Sequence, residues 1–206
     1  MLSRFRQFWT NVFKPVAHLF LRLGISPDTV TIVGTAGVVA GALIFFPRGQ
    51  LWLGVVVITV FVFSDLIDGY MARTLGSPSR WGAFLDSTLD RFGDAAVFGG
   101  LAIWFFGGGN DRLLAYVALW ALVMGSVTSY ARARAESLGM HATGGIAERA
   151  DRLVAVLVVT FFADVLNLPV LLAIVLWALA AASSITVVQR MVLVRRQAFV
   201  DPALPS

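Results

Sequence analysis

The chain has 206 residues, of which 58% are hydrophobic and 14% charged, with a net charge of +4 and a mean hydropathy of +0.82. This is the profile of a polytopic membrane protein and excludes an ordinary soluble domain. The absence of cysteine excludes disulfides, thiolate nucleophiles and cysteine-ligated metals, and the two histidines, His18 and His141, are too far apart in sequence to suggest a histidine-rich zinc site.

Met1 to Leu23 is interrupted by Arg4, Arg6, Lys14 and Arg22, too often for a membrane span. Its apolar residues, among them Leu2, Phe5, Trp9, Val12, Val16 and Phe20, recur at helical spacing. The segment reads as an amphipathic helix in the membrane interface over 1–23. A cleaved signal peptide is the weaker reading, because the apolar run is short and no small-residue cleavage site follows. Ser26-Pro27-Asp28 is a helix start: a capping serine, a first-turn proline and an acid at the positive end of the dipole.

An uncharged stretch from Thr29 to Pro47 is the first span. The second starts near Leu51 and carries Asp65, Asp68 and Arg73 in its last turns. Gly76 to Arg80 is a tight connection, with the bend expected at Gly76-Ser77-Pro78. The third span runs from Trp81 to Phe106 with Asp86, Asp90, Arg91 and Asp94 in its first half. Gly107-Gly108-Gly109-Asn110 is a turn, and the fourth span covers Arg112 to Glu136. A polar, glycine-bearing loop, Ser137 to Ala147, precedes the fifth span, Glu148 to Val165. Asn167-Leu168-Pro169 restarts the chain as the sixth span, to Arg196.

The expected fold class is therefore an all-α integral membrane protein: six transmembrane helices over 24–196, preceded by the interfacial helix and followed by a short tail, 197–206. Only Arg48 and Arg112 of the 16 lysines and arginines fall in the odd-numbered connections. The rest lie toward the side of the termini, which the positive-inside rule makes the cytoplasm. The positive charge is thereby explained by cytoplasmic retention and anionic headgroups rather than by nucleic acid.

The chemistry concentrates between Asp65 and Asp90. Asp65 and Asp68 are spaced i, i+3, and Asp86 and Asp90 i, i+4, so each pair shares one helix face. A bend between the two helices would let all four carboxylates converge. Intramembrane acids are costly and mark functional sites. Four carboxylates would be balanced by two divalent cations, and hard oxygen donors suit Mg²⁺ or Mn²⁺. Such ions hold phosphate or pyrophosphate. Gly69, Ala72 and Gly82 lie beside the aspartates or one turn from them, where small residues admit a close helix or a ligand. Arg73 adds a cation for a phosphate oxygen. Asp94, three residues beyond Arg91, is expected to pair with it locally.

These residues spell D-x-x-D-G-x-x-A-R, eight residues, then G-x-x-x-D-x-x-x-D, over Asp65 to Arg73 and Gly82 to Asp90. The pattern resembles the signature of the CDP-alcohol phosphotransferases, and every fixed position is present. The resemblance implies an integral membrane enzyme of phospholipid biosynthesis. Such an enzyme cleaves the pyrophosphate of a CDP-linked donor, releases CMP and joins the phosphoryl group to an acceptor hydroxyl. It implies Asp65, Asp68 and Asp86 as metal ligands and Asp90 as the general base, itself able to touch a metal. It implies Asp68, Gly69, Ala72 and Arg73 as contacts to the nucleotide donor, with a weaker match adding Asp28 and Thr31. A homodimer is also implied.

Arg132, Arg152 and Arg190 lie toward the cytoplasmic ends of spans four, five and six. Positive-inside retention accounts for their number without requiring that they meet. If they converge they form a second phosphate site, since arginine clamps phosphate in a bidentate fashion. Their segments resemble those of actinobacterial phosphatidylinositol phosphate synthases, which implies CDP-diacylglycerol as donor and inositol 1-phosphate as acceptor, with these arginines on the acceptor phosphate. Glycerol 3-phosphate is the alternative acceptor. A divalent-cation transporter is the alternative of another class, but the outer halves of spans two and three are apolar, which argues against a pore. An intact signature argues against a non-catalytic scaffold.

Overall fold

A computed structural model describes residues 14–76, 79–146 and 148–200. All regular structure among them is helical. Helix α1 covers 14–22, α2 Pro27–Phe45, α3 Leu51–Val62, α4 Ser64–Thr74, α5 Arg80–Phe106, α6 Arg112–Ser137, α7 Arg149–Val165 and α8 Pro169–Val200, with a single 3₁₀ turn at Phe46–Arg48. Most helix limits fall within two residues of the sequence reading. Helix α8 is the main difference: it continues through the expected tail to Val200. The first half of the expected interfacial helix and the Ser77-Pro78 bend lie outside the described residues.

Four segments are long and apolar enough to cross a membrane: Pro27–Arg48, Leu51–Thr74, Arg112–Ser137 and Pro169–Phe199. The other two long helices fall short for definite reasons. Helix α5 has 27 residues, but its first half carries Asp86, Asp90, Arg91 and Asp94. Helix α7 has 17 residues and opens with Arg149, Asp151 and Arg152.

The chain divides into two compact units. The first takes in Met1–Phe45 and Leu53–Val97. Its organising feature is a glycine stripe on α2. A Cβ at Gly34 would fall on the Ser64 side chain, and one at Gly37 on the Phe61 ring. A Cβ at Gly41 would stand 3.1 Å from Ile58 Cγ1. Glycine here lets two antiparallel helices approach almost backbone to backbone, as small residues do between helices in membranes. Helices α3 and α4 form one span with a small adjustment at Phe63, where Leu66 N–H bonds to Phe63 O at 3.1 Å.

Helix α1 ends in a Schellman arrangement with Gly24 at φ +74°, Ile25 N–H bonding to Phe20 O and Gly24 N–H to Leu21 O. It is docked by Ala17, which packs with Val30, Ile67 and Met71. The capping serine is as expected: Ser26 Oγ accepts from Thr29 N–H at 3.1 Å. A second cap was not foreseen. Ser79 Oγ accepts from Gly82 N–H at 2.8 Å and starts α5.

The second unit takes in Phe46–Trp52 and Phe98–Ser206. Helix α8 packs against both α6 and α7. Asp111 caps α6 by accepting from Leu114 N–H at 3.0 Å. Trp120 Nε1 donates to Ser184 Oγ at 3.1 Å, joining α6 to α8. Asp164, near the end of α7, accepts from Trp52 N–H at 2.7 Å and so satisfies one of the orphan donors at the start of α3. Trp120, Val123, Phe162, Ile174 and Trp177 remain exposed on the outer faces, as lipid-facing side chains would be.

Candidate active site

The register of the glycine stripe positions the acidic group. Gly41 meets Ile58, Gly37 meets Phe61 and Gly34 meets Ser64. One further turn along each helix brings Thr31 to Asp68. Thr31 Oγ1 donates to Asp68 Oδ2 at 2.6 Å, and both residues are buried, Asp68 being 7% exposed. The same hydroxyl also reaches Pro27 O at 3.1 Å. A buried carboxylate needs such donors, and the helix approach supplies this one.

Around Asp68 the other signature residues fall as follows. Asp65 and Asp86 are exposed and Asp90 is half-buried. Asp86 and Arg73 both lie within electrostatic reach of Asp68. The Arg73 guanidinium folds back over Gly69, 3.5 Å from where a Cβ would sit, so a larger residue at 69 would press on it. Asp28 Oδ1 lies 3.5 Å from the Cβ position of Gly82, which puts Asp28 one turn from Asp86. Ala72 is half-buried on α4. Arg91 stands 3.7 Å from Asp94 Oδ2, the local pair expected, and also 3.7 Å from Asp90 Oδ2, a contact the i, i+1 spacing did not signal.

The expectation that four carboxylates converge is not met in full. Among the described residues no three acidic or histidine side chains are gathered closely enough to hold a metal ion. Carboxylates repel one another, so four at one point require cations between them. The donor set still fits a hard divalent ion in kind: it consists of carboxylate oxygens from two helices, with no sulfur or imidazole.

A second group of charged residues lies in the other unit, built on one face of α6. Gly125, Thr128 and Arg132 are spaced i, i+3, i+7 along that face. Arg152, 2% exposed, reaches from α7 and donates to Gly125 O at 3.4 Å. Arg190, 5% exposed, reaches from α8 and donates Nη1–H to Thr128 O at 2.6 Å and Nε–H to Gly144 O at 3.1 Å. Arg132, one turn further, is exposed and pairs with Glu136 at 2.8 Å. Arg132, Glu136 and Glu148 are all within electrostatic reach of Arg190.

The three arginines named from the sequence are thus aligned along neighbouring turns of α6. Gly125 was missed, and it matters: a Cβ there would meet the Arg152 guanidinium at 3.1 Å. Thr128 and Gly144 were also missed, because they contribute only main-chain carbonyls and nothing in their side chains signals the role. A pocket of about 250 Å³ opens beside Arg190, lined by Thr143, Gly144, Gly145, Ile146 and Gln189.

A helical membrane scaffold with an acid-rich signature on α4 and α5 and buried guanidiniums against α6 has the parts for moving phosphate groups. The chain belongs to the CDP-alcohol phosphatidyltransferase family, whose profile matches residues 24–188, and it is an enzyme of that class.

Within the family it is similar to phosphatidylinositol phosphate synthases. It is 54% identical to that of Cutibacterium acnes over 203 residues, covering 95% of this chain and 98% of the relative. It is 53% identical to that of Streptomyces avermitilis over 204 residues, covering 96% and 84%. The crystal structure of the Mycobacterium tuberculosis phosphatidylinositol phosphate synthase with CDP-DAG bound superposes with a TM-score of 0.88 at 42% identity, covering 95% of this chain and 98% of that one. The structure of the same enzyme in complex with manganese and citrate gives 0.86 at 43% identity, covering 93% and 91%.

Proposed function

We propose that the chain is a phosphatidylinositol phosphate synthase, transferring the phosphatidyl group of CDP-diacylglycerol to inositol 1-phosphate with release of CMP. The observation that carries this reading is the alignment of Arg132, Arg152 and Arg190 on one face of α6, in a chain similar over nearly its whole length to enzymes of that name. An acceptor that brings its own phosphate needs such a set, and free inositol or serine does not.

In this reading Asp65, Asp68, Asp86 and Asp90 hold Mg²⁺ or Mn²⁺, two ions by charge balance, a choice supported by the manganese complex of the tuberculosis enzyme. When bound, the ions supply neutralisation of the pyrophosphate and of the departing CMP. Thr31 keeps Asp68 oriented. Asp28, Asp68, Gly69, Ala72 and Arg73 bind the nucleotide end of the donor, with Arg73 on a phosphate oxygen. The arginines fix the acceptor phosphate, and that fixes its ring. Asp90 accepts the proton of the attacking hydroxyl. The hydroxyl oxygen then bonds to the β-phosphorus while the bond from that phosphorus to the CMP oxygen breaks, and its electron pair leaves with CMP.

The membrane arrangement of this reading has six spans with α5 and α7 included, both termini and the site cytoplasmic, in the cell membrane. Among the charges that interrupt the apolar runs of α5 and α7 are the site residues Asp86, Asp90 and Arg152. Helix α1 lies in the interface, as its exposed Val16, Leu19 and Leu23 and its Lys14 and Arg22 favour. The enzyme works as a homodimer, which light scattering in detergent would test.

An acceptor screen tests the function. Purified protein, Mg²⁺ and CDP-diacylglycerol are combined in parallel with inositol 1-phosphate, glycerol 3-phosphate, inositol and serine, and CMP release is followed. CMP is expected only with inositol 1-phosphate. Release only with glycerol 3-phosphate would keep the chemistry and replace the acceptor.

A further inference from the structure

The segment between α6 and α7 is not a loose connection. Gly139, at φ +76°, turns the chain out of α6, and Met140 N–H bonds back to Ala135 O at 2.9 Å. Met140 and Ala142 are buried with Ala135 and packed on by Val194 of α8. The segment therefore runs along α8. There it is gripped twice.

The first grip is Gln197. Its Nε2 donates to His141 O at 2.6 Å, and its Oε1 accepts from His141 N–H at 2.9 Å. A primary amide offers a donor and an acceptor in one plane, so Gln197 binds the His141 main chain much as a neighbouring strand would. The second grip is Arg190, two helical turns earlier on the same face of α8, whose Nε–H bonds to Gly144 O. Gly145, at φ +132°, lies directly against Thr186, where no Cβ fits. The carbonyl that orients Arg190 is thus itself held by a segment that Gln197 fastens.

We propose that Gln197 is a positioning residue for the acceptor phosphate: it clamps residues 138–146 onto α8 so that Gly144 O holds the Arg190 guanidinium in its phosphate-binding orientation. The proposal rests on the reading that Arg190 binds the acceptor's phosphate. Gln197 touches neither substrate. Its effect passes through the His141 main chain, the segment to Gly144, and the Nε–H bond. Arginine grips phosphate through a fixed planar fork, so a guanidinium that has lost its Nε anchor presents that fork less often and weakens acceptor binding, while the donor site keeps its own contacts.

The test is Gln197→Met, which keeps the side chain's length and helix propensity and removes both bonds. Initial rates of CMP release are measured with donor and acceptor varied separately. Loss of two neutral hydrogen bonds, felt at one remove, is expected to raise the acceptor KM about tenfold, with kcat and donor KM within about twofold of wild type. Hydrogen exchange at the His141 amide, read on the same protein, is expected to quicken.

An unchanged acceptor KM overturns the proposal, even if exchange quickens. A rise of both KM values together with a fall in kcat also overturns it, since that is what a merely structural residue would give. The assay is run with whichever phosphorylated acceptor the wild type uses. A wild type that prefers glycerol 3-phosphate therefore refutes the functional reading but leaves the Gln197 effect to be judged on that acceptor's KM. A wild type that accepts only unphosphorylated alcohols removes both.

Discussion

The aspartate region and the arginine region both gather charge inside helices, but they are assembled differently. Every signature aspartate comes from one run of sequence, Asp65 to Asp90, on two consecutive helices. The arginines come from three helices, α6, α7 and α8, and two of them, Arg152 and Arg190, are held by carbonyls of α6 and of the turn at Gly144. Asp68 is held by the Thr31 side chain, while Arg152 and Arg190 are held by main-chain carbonyls. The first arrangement suits a function shared by a whole family, cleaving a common donor. The second can change its ligand by altering a few side chains around a fixed cradle.

The largest effect that should separate the two regions is loss of the aspartate chemistry. Chelation of divalent ions should abolish CMP release, with recovery on adding Mg²⁺ or Mn²⁺. Asp86→Asn should lower kcat by about a thousandfold, the upper end for removing one preorganised electrostatic group, under saturating amounts of both substrates. Near-normal turnover in that variant would take Asp86 out of the site.

Next in size, Gly34→Leu should break the helix approach that seats Asp68. Overpacking of this kind costs about 1–3 kcal/mol. It should appear as a lower melting temperature in detergent together with a raised donor KM. Gly125→Ala is the matching change in the other region. Its Cβ would press on the Arg152 guanidinium at 3.1 Å, close enough to require a shift of a few tenths of an ångström. The acceptor KM should rise by about three- to tenfold, on the order of 1 kcal/mol, with donor KM unchanged. A donor effect from Gly125→Ala would erase the division between the regions. The smallest expected effect is at Ser79. Removing the α5 cap with Ser79→Ala should cost about 1 kcal/mol of stability, readable as a small fall in melting temperature with little change in rate.

The contrast also explains what could be read from the sequence. Hydropathy and caps placed most of the helices, because a membrane helix must satisfy its backbone internally and so shows itself as an unbroken apolar run. The Asp65–Asp68 and Asp86–Asp90 faces were legible because helical spacing is local. The Arg91–Asp94 pair was legible for the same reason, and Arg91–Asp90 was missed because adjacent residues on a helix do not normally face each other.

The tightness of the carboxylate cluster was not legible. Spacing within each helix says nothing about the distance between helices, and the full convergence expected is absent among the described residues. The Gly34-Gly37-Gly41 stripe was visible only as apolar span, since its meaning depends on Ser64, Phe61 and Ile58 standing opposite. The arginines could be named from their resemblance to a family, but not their anchors. Main-chain carbonyls carry no sequence signal, and a glycine such as Gly125 announces itself only when its neighbour is known.

The central claim is that the arginine region binds the acceptor's phosphate and the aspartate region handles the donor. Arg190→Lys tests it most directly, because it keeps the charge and removes the planar fork. The measurement is the KM of each substrate in that variant, with CMP release as the signal. The account predicts an acceptor KM raised by about ten- to a hundredfold, the loss of a charge-assisted bidentate contact, and a donor KM that does not move. A raised donor KM with an unchanged acceptor KM would contradict it.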